Sequence, residues 1–480
     1  MEINLEKLTE QCGNKECPVI EVLKTALLQI AKLEARVKEL EEKLNTNSSN
    51  SSKPPSTDGL KRNTTVSLRE KSGKKSGGQA GHQGNTLKMV EIPDKIIPLN
   101  VSRCYCCGEN LYDTVEHSTE KRQVFDIPKI TIEVTEYRAF SKVCSKCNSV
   151  TKATFPAGVN NKTQYGENIK SQITYFNQYQ LIPLDRTTEI FEDLYDVSIS
   201  EGTIVNITDS LSEKLEPFET ATKEILTQST LIHKDETGIF VENKLHWLHS
   251  TSTEKYTHYF IHPKRGTEAM NSDNILPLFK GILVHDFWKP YFTYNGMCHA
   301  LCNSHHLREL KSVFENTQQE WPVLLASLLK LINREVYKAK NMGQVSFSPE
   351  TLALYNRQYD ELISEGFRLN PAAEKETIKQ GKTKQSKPYN LLKRLSEKKN
   401  ETLRFMNNFD VPFTNNLAER DIRMTKLKQK ISGTFRSMQG AKTFCRIRAY
   451  ISTLRKNGAS VIDEIKNAFR EQYFMPNTQS

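Results

Sequence analysis

The sequence lacks any run of the about 18 apolar residues that a membrane-crossing helix requires. Its first residues, MEINLEKLTEQ, also lack the charged, apolar and small-residue regions of a secretory signal. These two absences exclude a membrane or exported class and predict a soluble, intracellular, cytoplasmic protein with no membrane partner. Acidic residues are sparse in three blocks. Residues 53–89 hold eight Lys/Arg against two acids, 371–404 hold ten against four, and 420–448 hold nine against one. The blocks together carry +20 while the whole chain carries +10, so the remainder is net negative. A solvated face is the ordinary reading of one such block. Three of them suit a polyanion, because each neutralised phosphate releases counterions and adds affinity without sequence choice.

Cysteine is not scarce, with ten residues. Cys104 and Cys107 form one CxxC pair and Cys144 and Cys147 another, with Cys106 between the first two. In a reducing compartment two such pairs read better as a structural Zn²⁺ site than as disulfides, since four soft thiolates close a tetrahedral shell. Gly108 after Cys107 permits a tight knuckle turn and favours Cys107 over Cys106 as the ligand. Between the pairs, QVFDIPKITIEVTEYRAF alternates well enough to predict strands of a small zinc ribbon.

The length of 480 residues is too great for one ordinary core, and roughly two to four domains are expected. Residues 1–48 contain Leu23, Leu27, Ile30, Leu33, Val37, Leu40 and Leu44 at steps of three or four, a short N-terminal coiled coil that predicts a homo-oligomer. Residues 49–95, with NTNSSNSSKPPSTDG and REKSGKKSGGQAGHQG, read as a disordered basic linker. The zinc ribbon is expected over 96–160 and a helical DNA-binding domain over 161–226. There, RTTEIFEDLYDVSISEGTIVNITDSL has helix-turn-helix spacing with Ser200 and Glu201 as a candidate cap; an ordinary helical hairpin has the same pattern.

Residues 227–455 are expected to form an α/β domain, followed by a C-terminal helix and tail over 456–480. STLIHKDETGIFVE, KLHWLHSTST and KYTHYFIHP predict three strands turning at Glu242-Asn243 and Thr253-Glu254. GTEAMNSDNILPLF predicts a helix, and GILVHDFW a buried parallel strand. A right-handed crossover would lay that fourth strand beside the first and bring Asp235 and Asp286 together. Two close carboxylates repel unless a cation joins them, and Mg²⁺ (or Mn²⁺) takes such hard oxygen ligands. Glu419 in FTNNLAERDIRMTKLKQK is the candidate third acid. Arg423, Lys426 and Lys430 fall on its side of a helix, and with Arg436 they are candidate DNA phosphate contacts. Taken singly, each Asp is more ordinary as a turn or edge residue, and Glu419, three after Asn416, has capping-box spacing. His299, Cys302, His305 and His306 are close enough in sequence for a metal, but a packed core accounts equally well for Cys302 and His306.

LIHKDETGI, GILVHDFWKPY, HALCNSHHLREL and NNLAERDIRMTKLKQKISGTFRS, in this order, resemble the transposases of the insertion sequence 66 family, a bacterial group. The linker, the GGQAGHQG tract and the CxxC pairs resemble that family's N-terminal half. The resemblance implies an RNase H-like mixed-sheet catalytic domain with an Asp235, Asp286 and Glu419 metal triad. It also implies a helical insertion between the second and third acids, about 310–405, and the 132 residues separating Asp286 from Glu419 leave room for it. The Cys302 to His305 stretch resembles a CxxH element of related enzymes, which implies His305 beside the scissile phosphate. The implied activity is cutting of DNA at element ends and joining to target DNA, with accessory transposition proteins as further partners and a place at the nucleoid when bound to DNA. The rival readings are a non-catalytic zinc-containing DNA-binding protein and a metal-dependent nuclease that does not join strands.

Overall fold

A computed structural model describes residues 18–47, 50–51, 86–373, 383 and 385–476. Most of the expected linker and the first part of the expected coiled-coil region lie outside the described residues. Helix α1 (Pro18–Leu44) carries the expected apolar seam. Its Ile30, Leu33, Val37, Leu40 and Leu44 remain exposed, so the stripe is left largely uncovered.

In the cysteine-rich segment the strands are not where alternation placed them. QVFDIPKITIEVTEYRAF contains no strand, and the hairpin is β1 (Ser141–Val143) with β2 (Val150–Lys152), closed around the second cysteine pair. Alternating apolar residues make a strand when a partner and a core cover them. Here Val124, Ile127 and Val134 stay exposed.

The helical region comprises α2 (Glu167–Thr174), running into a π-helical turn at Tyr175–Tyr179, α3 (Leu184–Tyr195), α4 (Glu201–Lys214) and α5 (Glu216–Gln228). Asp196 ends α3 in the left-handed region at φ 55°, and the Ser200 side chain caps α4 by accepting the Thr203 N–H at 3.1 Å. The expected break and cap are therefore present.

The central sheet is mixed and five-stranded, in the order β5-β4-β3-β6-β7. Its members are β3 (Leu231–Val241), β4 (Lys244–Ser252), β5 (Thr257–His262), β6 (Ile282–His285) and β7 (Cys298–Leu301). Glu242 and Asn243, both at positive φ, form the two-residue β3–β4 turn, whose twist matches an antiparallel pair. β6 pairs in parallel with β3, as expected, in the register Leu231↔Ile282 to His233↔Val284. Gly281 makes that start possible, because a Cβ there would lie 2.4 Å from the Thr230 carbonyl oxygen. The crossover helix α6 (Thr267–Asp273) is shorter than the apolar pattern suggested, since Asn274 turns left-handed at φ 60° and ends it. β7 was not foreseen: CHAL is four residues long and runs at once into α7 (Asn303–Thr317).

The insertion is helical, with α8 (Trp321–Asn341), α9 (Pro349–Leu369), α10 (Lys387–Glu397) and the short α11 (Lys399–Thr402) and α12 (Arg404–Asn407). Trp321, Leu325, Tyr359, Ile363 and Leu392 form its interior, which joins the sheet through Val284 and Ala300. Helix α13 (Asn416–Ser432) returns to the sheet, α14 (Met438–Lys456) lies beside it, and α15 (Val461–Phe469) closes the described chain.

The helical region and the chain's end are not separate units. Leu211, Leu215 and Phe218 share one core with Ile447, Tyr450, Leu454 and Ile465. The outward face of α4 holds Glu201, Val205, Asn206, Ser210 and Glu213, with no Lys or Arg. The exposed residues of that face carry no positive charge for a phosphate to meet.

Candidate active site

Asp235 stands in the middle of β3. Two residues beyond the last paired positions, the parallel register carries it opposite Asp286, the first residue after β6. One oxygen of each is tied down: Asp235 Oδ1 accepts the Glu236 N–H at 2.9 Å, and Asp286 Oδ1 accepts the Trp288 N–H at 2.9 Å. Glu419 lies in the first turn of α13, which packs on β3. Burial raises the Asp235 carboxyl well above its ordinary range, and the charges of Glu236, Asp286 and Glu419 raise it further. Burial likewise raises Asp286. The three expected acids thus share one electrostatic neighbourhood, crowded with like charge. Their oxygens are not all within 4.8 Å of one another; among the described residues the set of three metal-capable side chains that is so close is Cys302, His305 and Glu419.

The capping-box reading of Glu419 is not borne out. Asn415, not Asn416, is the N-cap, and its side chain makes no cap hydrogen bond. Instead Asn415 fastens three segments. Its Nδ2 donates to Lys234 O at 2.8 Å, so its Oδ1 must accept the His233 Nδ1–H at 2.8 Å, while its backbone N–H reaches Cys302 Sγ at 3.1 Å. This clip sets the start of α13 against β3 and the β7–α7 junction. The Asn-Asn pair was visible in the sequence, but it signals only a helix start.

A fourth acid was missed. Glu236 is buried beside Asp286 and accepts hydrogen bonds from Tyr291 Oη and from Arg265 Nε at 2.9 Å. Burial and then Asp286 raise its carboxyl, and Arg265 opposes them. The Arg265 guanidinium lies 4.8 Å from the Trp247 ring and 4.2 Å from the Trp288 ring, a sandwich that holds it in place. KDET holds two adjacent acids, and only Asp235 was singled out from the sequence.

His305 lies close to Glu419. Burial lowers its imidazole to about 4, with Arg308 and Arg394 adding to the effect, so the ring is neutral near pH 7. His306 is fully buried and lowered to about 3 by burial first. His299 turns away, hydrogen-bonding His285 at 3.0 Å and the Tyr294 carbonyl at 3.1 Å.

The expected DNA contacts divide. Arg423 and Lys430 are exposed on α13, and the Arg436 side chain is 87% exposed, 3.9 Å from Glu201. Lys426 Nζ donates to the Gly238 carbonyl at 2.7 Å, so it pins α13 to β3 instead of standing free.

The two cysteine knuckles repeat one geometry. Gly108 N–H donates to Cys104 O, and Asn148 N–H to Cys144 O, both at 2.9 Å. Gly108 and Asn148 both adopt positive φ. The Cys104 thiol is lowered by the N–H groups of Cys107 and Cys106, and the Cys147 thiol chiefly by the Ser149 hydroxyl. These donors stabilise thiolates, the form that binds zinc. The repeat pairs Cys104 with Cys107 and leaves Cys106 inside the turn. Among the described residues the two pairs do not meet in one tight cluster.

Comparison with known families matches these regions. A family model described as Transposase IS66 family covers residues 162–443, which include all three acids. A second, the zinc-finger binding domain of transposase IS66, covers residues 102–148 and both cysteine pairs. A third, a family of unknown function, covers residues 10–88. No curated protein matches the chain. Among the described residues no helix is long and apolar enough to cross a membrane.

Proposed function

The chain belongs to the IS66 transposase family, and from that premise we propose that it cuts DNA at element ends and joins the freed 3′-hydroxyl to target DNA. The observation that carries this is the register of β3 and β6, which sets Asp235 opposite Asp286 with the charge of Glu419 acting on the same site. Buried anions crowded in this way fit a divalent cation: Mg²⁺ or Mn²⁺ would replace repulsion with coordination by Asp235, Asp286 and Glu419. A bound pair of such ions supplies nucleophile activation and stabilises the leaving oxygen of an in-line displacement. The sheet order and the flanking helices support an RNase H-like fold for this domain.

The remaining roles follow from position. Asn415 and the anchored Asp oxygens hold the acids before substrate arrives. Neutral His305 can donate or accept a hydrogen bond at a phosphate beside Glu419. Arg423, Lys430 and Arg436 offer exposed cations to the DNA backbone, whereas Lys426 orients the helix that carries them. Cys104, Cys107, Cys144 and Cys147 would hold one Zn²⁺ and shape a ribbon for recognition of element ends. The uncovered seam of α1 would pair protomers so that two ends are held together, and accessory proteins would join such an assembly.

The test is an end-cleavage and strand-transfer assay on DNA carrying the element's ends, with Mg²⁺, for Asp235→Asn, Asp286→Asn and Glu419→Gln. Loss of joined product in all three with DNA binding retained is the expected result. Activity retained in any of them removes that residue from the triad. Cleaved but unjoined product from the unaltered protein would instead identify a nuclease.

A further inference from the structure

Cys302, His305 and Glu419 each offer one ligand atom, and these atoms lie within 4.8 Å of one another. We propose that they form a site for a thiophilic divalent cation of the Zn²⁺ class, which shares Glu419 with the hard-metal set at Asp235 and Asp286. The backbone brings them together from two helix starts. Cys302 precedes α7, His305 is in its first turn, and Glu419 is in the first turn of α13. Asn303 N–H donates to Phe413 O at 3.0 Å and locks the two starts side by side. Helix N-termini favour anionic ligands such as thiolate and carboxylate.

Each ligand is prepared for this role. Cys302 Sγ is buried, accepts the Asn415 N–H at 3.1 Å and lies 3.3 Å from Ser304 Oγ; burial and the charge of Glu419 raise the thiol, so its proton leaves only when a cation takes its place. His305 Nδ1 is buried and has no hydrogen-bond partner among the described residues. The Cys302 S–H donates toward Glu419 Oε1 at 3.9 Å.

One sulfur, one imidazole nitrogen and one carboxylate oxygen suit Zn²⁺ or Co²⁺ and do not suit Mg²⁺. A tetrahedral ion with bonds of about 2.0–2.3 Å sets its ligand atoms roughly 3.3–3.8 Å apart, so a contraction of about 1 Å closes the cluster. Three protein ligands leave a fourth position for water. On binding, the sulfur–metal bond replaces the Cys302 S–H bond and the proton passes to solvent; nothing is oxidised or reduced. An ion held here draws Glu419 away from the other two acids, so zinc competes with magnesium. The binding stands independently of the catalytic reading, and the competition rests on it.

Cobalt is the probe, added to the full chain after its knuckles have been loaded with one molar equivalent of zinc and no excess. The unaltered protein should show a sulfur-to-cobalt charge-transfer band that Cys302→Ser lacks, and His305→Ala and Glu419→Gln should weaken cobalt binding at least roughly tenfold. The same band in Cys302→Ser overturns the site. Should Cys302→Ser fail to fold, unchanged cobalt affinity in His305→Ala overturns it equally, since that side chain is partly exposed. In the second arm, added Zn²⁺ should suppress Mg²⁺-dependent end cleavage of the unaltered protein. A band without suppression overturns the sharing of Glu419. A cobalt band that persists in Asp235→Asn, together with full cleavage by that variant, refutes the catalytic reading and leaves the zinc site standing.

Discussion

Lys234 and Asp235 are neighbours on β3 and project to opposite faces of the sheet, and the acids on the two faces are treated in opposite ways. On one face Asp273 is buried against Lys234 Nζ at 3.2 Å and His258 Nε2 at 2.9 Å. Burial alone would raise its carboxyl, but His258 and Lys234 overcome that and hold it far below the ordinary range. On the other face Asp235 is raised by burial first, and then by the charges of Glu236 next to it in the strand, Asp286 and Glu419. An acid buried with cations is complete and serves the fold. An acid buried with acids lacks its counter-charge, and such crowding marks a place for a metal.

This contrast can be broken by substitution. Asp273→Asn should cost about 3–5 kcal/mol in denaturant unfolding, because it leaves buried Lys234 without its partner. The sign with pH follows: a depressed carboxyl contributes stability that is present above its unfolded value of about 3.9 and is lost as pH falls below it. Unfolding scans down the acid range should therefore show Asp273→Asn less acid-sensitive than the unaltered chain. Asn415→Ala should cost less, about 1–3 kcal/mol, because it leaves a buried ring N–H and a carbonyl unsatisfied; near-neutral stability in this variant would refute the clip. Asp235→Asn should run the other way. Relief of like charge should stabilise the metal-free protein by about 0.5–2 kcal/mol while activity is lost, and a destabilised Asp235→Asn would contradict the contrast itself. The smallest effect is expected at Lys430→Ala, which should reduce the salt slope of DNA binding by about 1, while Lys426→Ala should instead lower stability.

How far the sequence disclosed this site depends on the range of the contacts. The partnership of β3 and β6 was legible, because GILV is a buried apolar run and crossover handedness leaves few places for it. The basic stripe of α13 was legible from spacing alone. Asn415 was not, since its three contacts come from segments 113 to 182 positions away and its local signal is a helix start. Glu236 was passed over because its local signal is only a second acid in KDET, and nothing local reveals the Arg265 bridge from 29 positions away. The ribbon strands were misplaced for the converse reason: a local pattern was present, and no core covers it.

The claim that the like-charged face is a metal site is tested most directly by calorimetric titration of Mg²⁺ into the full chain, supplied with only the one equivalent of zinc its cysteine knuckles take up, and into its Asp235→Asn variant. The account predicts saturable binding to the unaltered protein that is lost or weakened at least roughly tenfold in the variant. Equal binding to both proteins would contradict it.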